Sequence, residues 1–280
     1  MLYLVNFSQK VLDFCELRPY CRDMSSERRR LHIVTLLAER DAVNISELAD
    51  SFGISHMTIR RDLEILEMEG HARRIRGGAI SAVSRSYEPP ILQRRKIESA
   101  AKTAIGKAAA DLLEDGETAI IDVGTTTLEM AKAINPRLAL TIVTSSILIA
   151  TELGAKPQIR TILSGGILRK GEMSLIGARA EDSMSDINCD SVFLGVAGIS
   201  EEKGLTEYNL DDTRVKQAAI RSARRVVVLA DATKIGRVAF ANVAPISQID
   251  VLVTNASPQN KVILALESEG VEIIHVEPIS

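Results

Sequence analysis

Between Thr118 and His275 the chain returns repeatedly to short apolar runs, each about the length of one strand. These are Thr118–Asp122, Leu140–Thr144, Arg160–Leu163, Ser191–Val196, Val226–Ala230, Val251–Thr254 and Val271–His275. Amphipathic stretches separate many of them, including Thr127–Ile134, Ser146–Leu153, Asp212–Ala223 and Gln259–Glu269. Such alternation predicts an α/β region: a mostly parallel sheet covered by helices. Aromatic residues are only 3% of the chain while 46% is hydrophobic, so aliphatic side chains and Ala must fill the core.

The segment before this region is organised differently. Residues 1–23 read as an appended leader, poorly ordered or a start-site artefact, with Met24 as a natural start. Residues 24–80 form a charge-rich unit, 81–97 a linker containing Pro89-Pro90, and 98–280 the α/β domain. Apolar runs are too short to span a bilayer, and the leader lacks a clean secretory pattern because Lys10, Asp13, Glu16 and Arg18 interrupt it. Cys15, Cys21 and Cys189 make neither a disulfide framework nor, with the four His, a metal-ligand spacing. Free thiols in a reducing cytoplasm are expected, with no cofactor and no metal.

Within 24–80 a helix is expected over Glu27–Glu39, with Leu31, Val34 and Leu37 on one face. Then comes a doubled signal. Asn44 caps a second helix with Glu47 reaching back, and Val43 and Leu48 take the positions of a hydrophobic staple. Gly53 ends that helix. Ser55 caps a third, stapled by Ile54 and Ile59, with Ile59, Leu63 and Leu66 facing the core and Gly70 closing it. Two short helices joined by a tight turn make a helix-turn-helix.

The outer face of the third helix carries Ser55, His56, Met57, Thr58, Arg60 and Arg61. Arg can pair with guanine through two hydrogen bonds, and hydroxyls and first-turn N–H groups suit phosphate oxygens. Arg73, Arg74 and Arg76 then precede Gly77-Gly78, which reads as a two-stranded basic wing. Three phosphates neutralised there correspond to a salt slope of about −2.7. A charge pair alone is usually a solvated face; the repeated cap and staple with a basic hairpin behind it point to double-stranded DNA. The net charge of −3 does not oppose this, because only the contacting face must be basic.

In the α/β domain, Ile120-Ile121-Asp122-Val123-Gly124-Thr125-Thr126-Thr127 is a strand, a small-residue loop and a helix start. Such a loop offers N–H groups and a helix N-terminus to a phosphate, although it also suits an ordinary β–α turn. Loops at Thr144-Ser145-Ser146, Ser164-Gly165-Gly166-Ile167-Leu168-Arg169, Gly195–Gly198 and Asp231-Ala232-Thr233-Lys234 follow other strands. Strand carboxyl ends are where such sheets bind ligands. Arg169 and Lys234 could neutralise a phosphate, and Asp122 and Asp231 could accept from sugar hydroxyls. Each also has a plainer reading, as a solvated charge or a turn-orienting carboxylate.

The stretch Ile45-Ser46-Glu47-Leu48-Ala49, then Ser55-x-x-Thr58-Ile59-Arg60-Arg61-Asp62-Leu63-x-x-Leu66-Glu67-x-x-Gly70, then Arg74-x-x-Gly77-Gly78-Ala79 resembles the DeoR family of bacterial regulators. So do Asp122-x-Gly124-Thr125-Thr126-Thr127, Gly165-Gly166-x-Leu168-Arg169, Val215-Lys216 and Asp231-x-Thr233-Lys234. The resemblance implies a winged helix-turn-helix followed by an effector domain similar in fold to ribose-phosphate isomerases and glucosamine-phosphate deaminases. It implies a repressor of a carbohydrate catabolic operon, a homodimer or homotetramer released from operator DNA by a phosphorylated sugar or related metabolite. The expected effector residues are Asp122, Gly124, Thr125, Thr126, Thr127, Ser145, Gly165, Gly166, Arg169, Lys216, Asp231 and Lys234. Ser145 stands where the family commonly has Asn, Asp212 where Glu is frequent and Thr233 where Ser is frequent. The first change alters the donors offered to a ligand. The alternatives are an isomerase-like enzyme with Asp122 or Asp231 as base and Lys234 as electrophile, and a constitutive DNA-binding scaffold with a vestigial pocket. No nucleophile–base–orienter set is evident for the enzyme.

Overall fold

The computed structural model describes residues 25–40, 42–68, 71–81 and 88–277. The expected leader, Cys15, Cys21, Gly70 and linker residues 82–87 lie outside that range. The chain divides into two units between Pro89 and Pro90.

The first unit contains α1 (Ser26–Arg40), β1 (Ala42–Asn44), α2 (Ile45–Phe52), α3 (His56–Met68), β2 (Ala72–Ile75) and β3 (Gly78–Ser81). Its core joins Ile33, Leu36 and Leu37 of α1 to Leu48, Ala49 and Phe52 of α2 and Ile59, Leu63 and Leu66 of α3. The stripe expected on α1 needs correction: Leu31 is 68% exposed and Ile33 fully buried. A spacing of three drifts around a helix of 3.6 residues per turn. The buried stripe is instead 29, 33, 36 and 37, and it includes a charged residue, Arg29. Arg29 is tolerated there because Nε and Nη2 reach both oxygens of buried Asp62 on α3, at 2.6 and 3.3 Å. The Asn44 cap of α2 accepts from Ser46 N–H at 2.8 Å. Gly53 ends α2 in the left-handed region, φ 64°.

The wing has three strands, not the expected two, in the order β1-β3-β2. β1 joins through Ala42, Val43 and Asn44 against Ile80, Ala79 and Gly78. That contact needs Gly78, since a Cβ there would lie 2.0 Å from the Val43 carbonyl oxygen. Three residues, exposed Ala42 and Asn44 about a buried Val43, are too short a run to give β1 a readable alternation.

The second unit contains α4 (Ile91–Arg94), α5 (Ser99–Ala110), β4 (Thr118–Ile121), α6 (Thr125–Ala133), β5 (Leu140–Thr144), α7 (Ile147–Leu153), β6 (Ile159–Leu163), β7 (Ile167–Arg169), β8 (Ser174–Ile176), α8 (Ala178–Ser185), β9 (Cys189–Gly195), β10 (Gly198–Ser200), β11 (Gly204–Glu207), α9 (Leu210–Arg221), β12 (Ala223–Leu229), β13 (Ala241–Ala244), β14 (Val251–Thr254), α10 (Lys261–Ser268) and β15 (Glu272–His275). Seven strands form one parallel sheet, ordered β15-β14-β12-β9-β4-β5-β6. This is the α/β architecture the alternation predicts.

Both sheet faces are covered. Val226, Val228, Val192, Leu194 and Leu252 pack with Val215, Ala218 and Ala219 of α9, Met184 of α8 and Ile263 of α10. Val227, Leu229, Phe193, Val251 and Val253 pack oppositely with Ile105 of α5, Leu128 and Met130 of α6, and Ile149 and Leu153 of α7. Side chains alternate across a strand, so burial on both faces requires an uninterrupted apolar run, as in Val226–Leu229. The hairpin β7–β8 and the small antiparallel sheet β10-β11-β13 are additions to the expected plan. From β4 the chain proceeds to β5 and β6 on one side. It then returns to β9 on the other side and continues outward to β12, β14 and β15. The winding therefore reverses between β4 and β9, the position where open α/β sheets leave a crevice at their carboxyl ends.

Candidate functional sites

On α3, Ser55, His56, Met57, Arg60 and Arg61 are exposed, and Met57 is 61% so. Thr58 is half-buried; its N–H donates to Ser55 Oγ at 3.2 Å and the two hydroxyls lie 2.9 Å apart. Ser55 therefore caps α3 as expected, and Asp62 turns inward to Arg29, fixing which face of α3 stays outside. Arg73 and Arg76 are exposed on the wing and, like Arg60 and Arg61, carry no ion pair among the described residues. Arg74 differs: Glu67 and Glu64 hold it. A hollow of about 250 Å³ between α3 and the wing is lined by Arg60, Leu63, Ile45, Ile75 and the Gly77–Gly78 turn as well as Arg74. The described surface thus combines a helix face rich in donors with an adjoining basic strand pair, the geometry by which proteins enter a major groove and touch flanking phosphates.

In the second unit the ends of β4 and β9 are joined by Asp122, whose Oδ2 accepts Gly195 N–H at 3.1 Å. The same oxygen takes a hydrogen bond from Lys216 Nζ, which also donates to Gly195 O at 2.8 Å and lies 3.3 Å from Glu207 Oε2. Lys216 is 2% exposed, and its ammonium is taken up by Asp122, Gly195 and Glu207. Burial opposes its charge, but Asp122 and Glu207 hold its pKa above the ordinary lysine value. Burial also pushes the Asp122 carboxyl up to about 6, against the pull of Lys216.

The loop after β4 leads into α6 through Gly124, which has no side chain to cap the helix. Thr125, Thr126 and Thr127 are all buried. Thr127 Oγ1 has no hydrogen-bond partner among the described residues, an unsatisfied state that costs free energy unless something else bonds it. Ser145 is buried after β5. Beyond β6, Gly165 and Gly166 have φ of 74° and 113°, and a Cβ on Gly166 would meet Ile176 O at 2.6 Å. Arg169 turns toward α9, where Nη1 is 2.5 Å from Asp212 Oδ2, and Ser174 Oγ donates to the other Asp212 oxygen at 3.0 Å. Asp231 Oδ1 accepts Thr233 N–H at 3.0 Å and the Thr233 hydroxyl as well, so it orients its own turn.

Lys234, in that turn, is partly buried, with Asp231 and the cations Arg94, Arg237 and Lys102 around it. Burial lowers its pKa to about 8; Asp231 resists, and Arg94, Arg237 and Lys102 lower it further. Lys102 is 4% exposed, with Nζ donating to Arg94 O at 2.7 Å and Ile97 O at 2.5 Å. Burial lowers its pKa too. Arg94, Lys102 and Arg237 were not among the residues expected from the sequence. A readable signal existed for one: Lys102 lies on the buried Ala101–Ala104–Ile105 face of α5, where a lysine needs a reason. Glu207 was also missed, and only the fold brings it to Lys216. A concentration of cations in a turn that follows a strand of a parallel sheet is suited to an anion. Among the described residues no group of three or more His, Cys, Asp or Glu is placed to hold a metal ion, and no helix is long and apolar enough to cross a membrane.

Comparison with known proteins agrees with this geometry. The model of the DeoR-like helix-turn-helix domain matches residues 29–85, and that of the DeoR C terminal sensor domain matches residues 97–256. A putative aga operon transcriptional repressor of Escherichia coli O157:H7 is 30% identical over 257 residues, covering 91% of this chain and 96% of that protein. The glycerol-3-phosphate regulon repressor of Escherichia coli K12 is 32% identical over 250 residues, covering 89% of this chain and 99% of that one. Among solved structures, ribose 5-phosphate isomerase A from Methanocaldococcus jannaschii aligns over 49% of this chain and 54% of its own, with a TM-score of 0.37 and 17% identity. That likeness is too distant to inform the chemistry of the site.

Proposed function

This chain belongs to the DeoR family of DNA-binding transcription regulators, and from that premise we propose that it represses a carbohydrate catabolic operon in the cytoplasm and is released from operator DNA by a phosphorylated sugar or related metabolite. The observation that supports the effector reading is the group of Lys234, Lys102, Arg237 and the Glu172-paired Arg94 around the turn after β12, since β12 and the strand that leads to Thr125–Thr127 flank β9 on either side in the parallel sheet. The phosphate is assigned to Lys234 and Arg237 and to the N–H groups and threonine hydroxyls at the start of α6, with Lys102 and Arg94 adding positive charge from within the fold. The sugar lies toward Asp231 and Ser145. Gly165, Gly166 and Arg169 shape the far wall, and Lys216 with Asp122 holds the crevice floor from below.

In the operator complex, His56, Met57, Arg60 and Arg61 of α3 read base edges. Ser55, Thr58, Arg73 and Arg76 bond the backbone. A homodimer or homotetramer presents two such surfaces to a two-fold operator. Effector and operator binding are linked, so each lowers the affinity for the other by the same factor. The chain is a regulator and not an isomerase: its relatives are named repressors, and both carboxylates the isomerase reading would use as base are engaged within the protein, Asp122 by Lys216 and Asp231 by Thr233.

The test is a titration of DNA enriched from a randomised duplex pool by the full-length chain, at fixed salt, with a panel of pentose, hexose, hexosamine and glycerol phosphates. One member is expected to weaken DNA binding, and its unphosphorylated counterpart is not. If every phosphate leaves affinity unchanged, the effector reading fails.

A further inference from the structure

The three wing arginines are not equivalent. Arg73 and Arg76 carry no ion pair among the described residues. Arg74 is held by α3 through three hydrogen bonds. Its main-chain N–H donates to Glu67 Oε1 at 2.9 Å, its Nε to Glu67 Oε2 at 2.8 Å, and its Nη1 to Glu64 Oε1 at 2.6 Å. One carboxylate, Glu67, thus grips both the backbone and the side chain of the same strand residue. A guanidinium facing two carboxylates has its charge balanced within the protein, which weakens its pull on a phosphate.

Taking the DNA-binding reading as given, we propose that Arg74 is a positioning residue, a clasp that fixes the wing against the recognition helix, and that it makes no DNA contact of its own. α3 sets which base edges Arg60 and Arg61 meet, while β2 and β3 set where Arg73 and Arg76 meet the backbone. The two surfaces engage one duplex only if the angle between them is fixed. The clasp joins Glu64 and Glu67, near the carboxyl end of α3, to the middle of β2, and it borders the hollow lined by Arg60 and Ile75. The wing's share of the salt slope then comes from two arginines and falls from about −2.7 to about −1.8.

The two roles predict opposite signs at Glu67. Were Arg74 a phosphate contact, removing the neighbouring carboxylate would free it and tighten binding. As a clasp, removing Glu67 loosens the wing and weakens binding. The experiment measures affinity and salt slope of the full-length chain on the enriched duplex for Arg74→Gln, Arg74→Lys, Glu67→Ala and the Arg74→Gln/Glu67→Ala double variant. Expected are a loss of about fivefold for each single variant, no further loss in the double, no rescue by lysine, and an unchanged slope. A slope reduced by about 0.9 in Arg74→Gln, wild-type binding by Arg74→Lys, or tighter binding by Glu67→Ala overturns the proposal. Amide exchange without DNA gives a second reading. Glu67→Ala is expected to lower protection at the Arg74 amide, and unchanged protection there also counts against the clasp. The underlying DNA-binding reading is judged separately, by whether Arg60→Ala/Arg61→Ala abolishes binding.

Discussion

On α3 and the wing, Arg60, Arg61, Arg73 and Arg76 stand in solvent with no ion pair among the described residues, whereas at the strand ends of the second unit Lys102 and Lys216 are almost sealed and every contact of their ammonium groups is with protein oxygen. Exposed cations keep their hydration until a polyanion displaces counterions, so they cost the fold little and serve binding alone. Buried cations must be compensated within the fold, so they are structural before they serve any ligand. The same residue types therefore carry different risks when changed, and that difference can be tested.

The largest effect is expected at Lys216. Lys216→Met leaves Asp122 and Glu207 buried without their counter-charge, a loss of about 3–5 kcal/mol of stability. Adding Asp122→Asn should recover part of it, because one uncompensated charge is then gone. Urea unfolding checks both. A cost below about 1 kcal/mol would mean that water or rearrangement compensates the site. Arg29 and Asp62 make the equivalent pair inside the first unit, so Asp62→Ala should behave like Lys216→Met and unlike its exposed neighbours.

Arg60→Ala and Arg61→Ala invert this pattern. Stability should change by no more than about 0.5 kcal/mol, while each lost base contact costs about 1–3 kcal/mol of operator affinity. Unfolding and gel-shift measurements on the same preparations separate the two. If either arginine is needed for stability but not for binding, the contrast between the regions breaks.

The contrast also explains what could be read from the sequence. Helix caps act over three or four residues, so Asn44, Gly53 and Ser55 revealed their elements directly, and Arg60 and Arg61 followed as the outer face. The parallel strands were equally legible, since burial on both faces writes an unbroken apolar run such as Val226–Leu229. Pairings between distant residues were not. Arg29–Asp62 spans 33 positions and Lys216–Asp122 spans 94, and neither leaves a local pattern. The same applies to Arg94 and Lys102, which come to Lys234 from the far side of the domain's sequence, whereas Arg237 is a local neighbour three positions on. Lys216 was singled out as an effector residue, and the sequence carried no sign that Asp122, Gly195 and Glu207 would surround its ammonium.

Lys234 lies between the two classes, and pH should show it. With its pKa lowered to about 8, it loses its proton above that pH, and a phosphate binds the protonated form better. Effector affinity should therefore fall as pH rises through 8, by about tenfold between pH 7 and 9 if binding needs the charge. Below about pH 6 the phosphate gains a proton and affinity falls again. Lys234→Arg, always charged, should lose the alkaline fall and keep the acidic one. Calorimetric titration across this range reads both limbs, and a flat alkaline limb in the wild type would remove Lys234 from the site.

The smallest effect on binding is expected at Thr127, where it sharpens the comparison most. Its hydroxyl is fully buried and unpartnered among the described residues, so the ligand-free protein gains nothing from it. Thr127→Val keeps the shape and removes an unsatisfied group; stability should stay level or rise by less than about 1 kcal/mol. The effector complex should lose about 0.5–1.5 kcal/mol, the net worth of one hydrogen bond. A residue that is neutral to the fold and costly to the complex is held for its ligand, although it lies as deep as Lys216. Equal loss in both measurements would instead place Thr127 with the structural residues and move the phosphate away from the start of α6.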